Sequence, residues 1–252
     1  MNVLRNMFFV AALAGLAAGV VMTILQFFAT VPLILEAETF ENAAPAAIEA
    51  HDHAATPADG AAMTAMTAAH AHEDEEWAPA DGFQRMGLTA VANIVTAIGF
   101  GLLLVAASEF AGGIASPRQG VLWGLAGFAV FTLAPGLGLP PELPAMPAAD
   151  LAARQIWWFA CVALTAGGLG LIAFGRSDWL ALLGAALLVL PHLIGAPQPD
   201  SHASPIPENL HHSFVVAVTV TNLVFWVLLG AAVSLVRRRF ATELGGARAQ
   251  IA

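Results

Sequence analysis

The chain has 252 residues, of which 58% are hydrophobic and 11% charged, far from the roughly 45–50% apolar and 25% charged content of soluble domains. Its nine basic residues are all arginine and its net charge is -9, which removes the cationic surface that nucleic-acid binding needs. With no lysine, a P-loop and Schiff-base chemistry are excluded as well.

Six apolar segments run through the chain, at residues 7–30, 86–107, 120–137, 156–174, 179–194 and 213–236, against the roughly 20 residues that a spanning helix requires. They predict an all-α, polytopic integral membrane bundle of six transmembrane helices forming one membrane domain over residues 1–252. The first segment follows Arg5 and is too long for a signal-peptide core of about 7–15 residues, so it is expected to remain as a helix. Residues 37–84 form the first loop, rich in Ala, Thr and acids; its composition cannot bury enough apolar area to order itself, which predicts a flexible segment when metal-free. Leu139-Pro140-Pro141-Glu142-Leu143-Pro144 and Ala196-Pro197-Gln198-Pro199-Asp200 make two short, stiff connections on the same side. The lone Cys161 lies in an apolar run, forms no intramolecular disulfide and is expected to pack.

Six spans place both termini on one side. Seven of the nine arginines, Arg5, Arg118, Arg176, Arg237, Arg238, Arg239 and Arg248, then share that side, leaving Arg85 and Arg154 opposite. All eight histidines and fifteen of the eighteen acids fall at the other side, leaving Glu109, Asp178 and Glu243 with the arginines. The positive-inside rule makes the termini cytoplasmic, with residues 237–252 as a cytoplasmic tail. A five-span reading that omits residues 179–194 would strand Arg237-Arg238-Arg239 outside, so six is preferred.

His51, His53, His70 and His72 stand among carboxylates in the first loop, a ligand mixture suited to borderline divalent ions such as Co²⁺, Ni²⁺ or Zn²⁺. Either this is a capture site or an acidic solvated loop with compositional bias. His192 follows Pro191 near the outer end of the fifth segment, where the proline removes an amide donor and frees the carbonyl of Leu187. A polar group at membrane depth is a site hypothesis by default; the alternative is an interfacial side chain bonded to a loop. Gln26, Asn93 and Asn222 fall in the outer halves of their segments, either lining a transport path together with His192 or acting as interhelical glue. His211 and His212, before the last span, are interfacial caps or first ligands. Gly15 with Gly19 and Gly120 with Gly124 make small-xxx-small pairs for close helix packing. No H-E-x-x-H, G-x-S-x-G or dinucleotide fingerprint is found, so no enzyme is expected.

Several blocks in one order give the chain a resemblance to a known family. They are Val31-Pro32-Leu33-Ile34-Leu35-Glu36-Ala37-Glu38, Glu75-Glu76-Trp77-Ala78-Pro79-Ala80-Asp81-Gly82, Trp123-Gly124-Leu125-Ala126-Gly127-Phe128 through Leu139-Pro140-Pro141-Glu142-Leu143-Pro144, and Leu190-Pro191-His192-Leu193-Ile194-Gly195-Ala196-Pro197. The chain resembles the CbtA family of predicted cobalt transporter subunits across nearly its whole length. The resemblance implies cobalt import, often linked to cobalamin synthesis, with cobalt ion as substrate and no organic cofactor. It also implies a small one-span, His-rich partner subunit of the CbtB kind, and five spans where the arginines favour six. Carried over as candidate metal contacts are the motif positions Glu36, Glu38, Glu76, Asp81, Glu142 and His192. The expectation is therefore a multi-pass subunit of a divalent metal uptake transporter in the cell's inner membrane, with a non-conducting metal-binding or assembly subunit of a separate importer as the alternative.

Overall fold

A computed structural model describes residues 2–43, 79–80 and 82–251. His51, His53, His70, His72, Glu76 and Asp81 lie outside the described residues. Among those described there is no strand. The helices are α1 (Asn2–Ala29), α2 (Val31–Ala43), α3 (Phe83–Phe110), α4 (Pro117–Phe128), a π-helical turn (Ala129–Leu133), α5 (Ala134–Gly138), α6 (Leu151–Phe174), α7 (Asp178–Ile194) and α8 (Glu208–Ile251).

Five segments are long and apolar enough to cross a membrane, namely Leu4–Ala29, Phe83–Phe110, Pro117–Gly138, Leu151–Phe174 and Glu208–Phe240. The sixth apolar helix, α7, has 17 residues, about 25 Å at 1.5 Å per residue, against a hydrocarbon core of about 30 Å. Its packing shows how deep it runs. A side-chain carbon added at Gly168 of α6 would come 2.7 Å from the Gly184 carbonyl oxygen, and one at Gly184 would come 2.6 Å from that of Gly168. Farther along, Trp157 Nε1 donates to the Pro191 carbonyl at 3.3 Å. The α6–α7 hairpin is thus antiparallel from the Gly168–Gly184 crossing to Trp157, and α7, with 17 residues against the 24 of α6, runs beside most but not all of its partner.

The other pairings use the same device, because lipid gives no hydrophobic drive for association and backbones must approach closely to gain dispersion energy. In the α1–α3 pair, a carbon added at Gly15 would lie 2.6 Å from the Ile98 Cα and one at Gly19 would lie 2.7 Å from the Ile94 Cα. In the α4–α8 pair, Gly120 and Gly230 face each other's carbonyls, and Gly124 meets the Trp226 carbonyl. Between these pairs lies the main core, with Val10, Ala14, Leu104, Val105, Phe225, Leu229 and Val233 buried. Phe131 stacks on Trp226, ring centroids 5.6 Å apart and planes 7° from parallel.

Local signals set the ends of the third span. Ser116 and Gln119 form a capping box with Pro117 at the first turn, satisfying amide donors that a helix start leaves unpaired. The π turn follows, and within it Thr132 Oγ1 accepts from Trp226 Nε1 at 3.3 Å. Beyond it Gly138 lies against the Trp157 ring.

One element differs from expectation. Residues 37–43, read from sequence as the start of the loop, belong to α2. Hydrogen bonding continues across the junction, from Thr30 N to Gln26 O at 3.0 Å and from Ile34 N to Thr30 O at 3.1 Å. Pro32 sits in the first turn of α2, where a missing amide is tolerated. The helix persists because Ala37 is buried against Leu143, Ile206, Leu210 and Phe214, with Leu33, Ile34 and Phe40 flanking. A second, smaller apolar cluster therefore closes the end of the bundle opposite the termini.

Candidate functional site

The antiparallel pairings bring Glu36, Glu38, Glu142, His192, His211 and His212 to one end of the bundle. The arginine-rich segments around Arg118, Arg176 and Arg237 lie at the other. Within the first end the ligands do not converge. Among the described residues, no three or more His, Cys, Asp or Glu side chains lie close enough to hold a metal ion.

Two of the three carboxylates, those of Glu38 and Glu142, are held by arginine instead. Arg85, at the start of α3, donates to Glu38 of α2 through both terminal nitrogens, with Nη1 to Oε2 at 3.3 Å. Arg154 Nη1 donates to Glu142 Oε2 at 3.0 Å. At the opposite end Arg237 pairs with Glu109. Three of the charges that the topology leaves on the minority side, Arg85, Arg154 and Glu109, are thus matched by a majority-side charge. Sequence reading missed these pairs, although the placement of Arg85 and Arg154 among many acids was the signal for them. Glu36 is exposed, and its backbone carbonyl accepts the Thr39 hydroxyl at 2.7 Å. His211 Nε2 bonds the Pro141 carbonyl at 3.2 Å, which fastens α8 to the loop carrying Glu142; His212 is exposed.

His192 sits apart from this group. It lines a cavity of about 250 Å³ with Leu137, Gly138, Trp157, Gly195, Ala196 and Gln198. Gly195 ends α7 at φ 84°, a left-handed backbone that favours glycine, and turns the chain over the cavity. The Pro191 carbonyl accepts both Gly195 N, at 3.1 Å, and Trp157 Nε1. The Trp157 ring meets the imidazole of His192 edge-on at 6.2 Å. Tryptophan and the turn thereby fix the imidazole's surroundings. One imidazole with an amide side chain nearby is a donor set that exchanges one or two waters of a hydrated cation. It is not a cage that strips the whole shell.

Of the expected transport-path residues, two meet. Asn93 Nδ2 donates to Gln26 Oε1 at 2.7 Å and to Thr23 Oγ1 at 3.2 Å, locking α1 to α3. Asn222 Nδ2 instead donates to Val218 O of its own helix at 2.9 Å. His192 belongs to the α6–α7 hairpin, which packs on α5 and the π turn. A single vestibule lined by all four is not built. Asn93→Leu is expected to lower stability by about 0.6 kcal/mol, and at most about 1.7 kcal/mol, in thermal unfolding of the detergent-solubilised chain; no loss would show that the contact does not form.

No curated protein and no solved structure matches the chain. A family model described as a probable cobalt transporter subunit, CbtA, matches residues 4–238. With the helical bundle and its end-sorted polar groups in place, that match over almost the entire chain assigns the protein to the CbtA family of probable cobalt transporter subunits.

Proposed function

We propose that the chain is the membrane subunit of a cobalt uptake transporter, with cytoplasmic termini in the cell's inner membrane and its carboxylate- and imidazole-bearing end facing outward. The observation that carries this reading is the gathering of Glu36, Glu38, Glu142, His192, His211 and His212 at one end of a bundle whose arginines crowd the other. Outer carboxylates, together with the loop residues His51, His53, His70, His72, Glu76 and Asp81, raise the local concentration of divalent cation. His192 then receives the ion, and Gln26, Asn93 and Asn222 are the polar groups proposed to serve its onward path. A one-span, His-rich subunit of the CbtB kind and a role in supplying cobalamin synthesis belong to the same proposal.

The second reading, a non-conducting subunit that presents metal to a separate importer, is favoured by one observation. The large groove in the arginine-rich half is lined by apolar side chains, with Gln119 as its one amide, and gives a cation few ligands there. Uptake of radioactive cobalt separates the two. Cells producing the chain with its partner subunit are expected to accumulate cobalt above cells lacking it, and liposomes with the purified chain alone test whether it conducts unaided. No difference between cells with and without the chain removes both readings.

A further inference from the structure

A groove of about 610 Å³ lies between α3, α4 and α6, and nothing in the transport reading uses it. Its wall on α4 and the π turn runs from Gln119 to Phe131, and its α6 wall from Val162 to Phe174. Twelve steps of 1.5 Å from the first to the last residue of each wall give a length of about 18 Å, close to one leaflet of a hydrocarbon core of about 30 Å. The walls carry small side chains, including Ala107, Ala126, Ala166 and Gly170. At mid-bundle the groove ends on the stacked rings of Phe131 and Trp226, where α6 closes on the π turn.

The open end is basic. Arg118 precedes Gln119 on α4, one turn from the lining residue Leu122, and Arg176 follows Phe174 by two positions. The Arg237 guanidinium lies against Gly113, itself part of the lining. Around this end Arg5, Arg118, Arg176 and residues 237–239 outnumber Glu109, Asp178 and Glu243.

We propose that this groove binds one acyl chain of an anionic phospholipid of the arginine-side leaflet, with the headgroup phosphate met by Arg118 and Arg176 beside the Arg237–Glu109 pair. A spanning helix, from a partner or from a second copy, does not fit, because the groove stops halfway and such a helix needs its full length accommodated. Basic clefts between membrane helices on the cytoplasmic side recognise acidic headgroups, and an apolar channel one leaflet deep accepts the tail.

The test is native mass spectrometry of the delipidated full chain in neutral detergent, titrated with phosphatidylglycerol, phosphatidylcholine or glycerol 3-phosphate. Phosphatidylglycerol is expected to stay bound in preference to phosphatidylcholine, and glycerol 3-phosphate, which has the phosphate without tails, is expected not to bind. Arg118→Gln and Arg176→Gln each weaken phosphatidylglycerol binding roughly fivefold, the equivalent of about 1 kcal/mol per basic residue. Gly170→Leu abolishes retention of both lipids, since a side-chain carbon there meets no atom within 4 Å and the leucine fills the groove without strain. Ala166→Phe on the same wall repeats that test should Gly170→Leu fold poorly. Equal retention of the two lipids, full binding of glycerol 3-phosphate, or wild-type retention by the filled variants would overturn the proposal. None of these measurements involves metal, so they stand apart from the transport reading.

Discussion

Gly230→Leu is expected to leave no monodisperse protein in detergent extract. Gly230 faces the carbonyl of Gly120 and the amide of Gly124 at the centre of the α4–α8 pair. Even the first side-chain carbon would overlap backbone atoms there. Overpacking usually costs about 1–3 kcal/mol where side chains can yield. Backbone cannot, so α4 and α8 must part and expose Phe128, Leu229 and Val233, now buried. The loss reaches about 3 kcal/mol or more, a large share of the roughly 5–15 kcal/mol that a folded domain holds. Gly167→Ala is the matched control. A side-chain carbon at Gly167 meets nothing within 4 Å, and alanine favours helix by up to about 1 kcal/mol. Size-exclusion profiles and unfolding midpoints decide the matter, and a well-behaved Gly230→Leu protein would disprove the α4–α8 contact.

His192→Ala is expected to reduce cobalt uptake at least about tenfold while the protein remains folded. The residue lines a cavity rather than a packed core, so truncation enlarges a space that already exists. Losing even an outer-shell partner of a metal ligand commonly costs about 10–100-fold in affinity, and on the proposed route, where the imidazole itself touches the ion, its loss costs no less. Glu142→Gln should behave differently. It removes a carboxylate already engaged by Arg154, so its main effect is on the loop, within the roughly 0.2–1 kcal/mol typical of partly exposed pairs. Uptake is expected to fall only modestly. Measured against external cobalt concentration, the two variants separate a residue that receives the ion from one that holds the loop. Unchanged uptake in both takes the His192 cavity and the Glu142 loop off the route.

The six apolar runs announced their helices because each must satisfy its backbone internally within lipid, and that requirement is written directly in composition. The glycine pairs Gly15–Gly19 and Gly120–Gly124 were legible for the same reason. Gly230, which meets the second pair, and the Gly168–Gly184 contact between α6 and α7 were not, since spacing along one helix does not say which neighbour it meets. Helix α2 was hidden by Pro32 and by the acids Glu36, Glu38 and Glu41, which read as loop. Its stability comes from Leu143, Ile206, Leu210 and Phe214, all remote in sequence. At the candidate site, the sharing of one end of the bundle by His192 and the carboxylates, opposite most of the arginines, followed from the order of the apolar runs. What could not be read was that Arg85 and Arg154 would engage two of those carboxylates, or that Trp157 and Gln198 would frame His192. These depend on side-chain directions fixed only by the finished bundle.

The π turn carries a phase consequence for the third span. An i→i+5 turn holds one residue more than a regular one, which rotates everything after it by about 100° relative to an uninterrupted α-helix. Before the turn the span shows Gly120 and Gly124 to α8, whereas after it Gly138 meets Trp157 of α6. A uniform helix would keep one azimuth and satisfy only one of these neighbours. Excising a single residue between Ala129 and Leu133 would straighten the cylinder yet swing its last turn away from the hairpin that frames His192, so the irregularity is what lets one rod serve two partners.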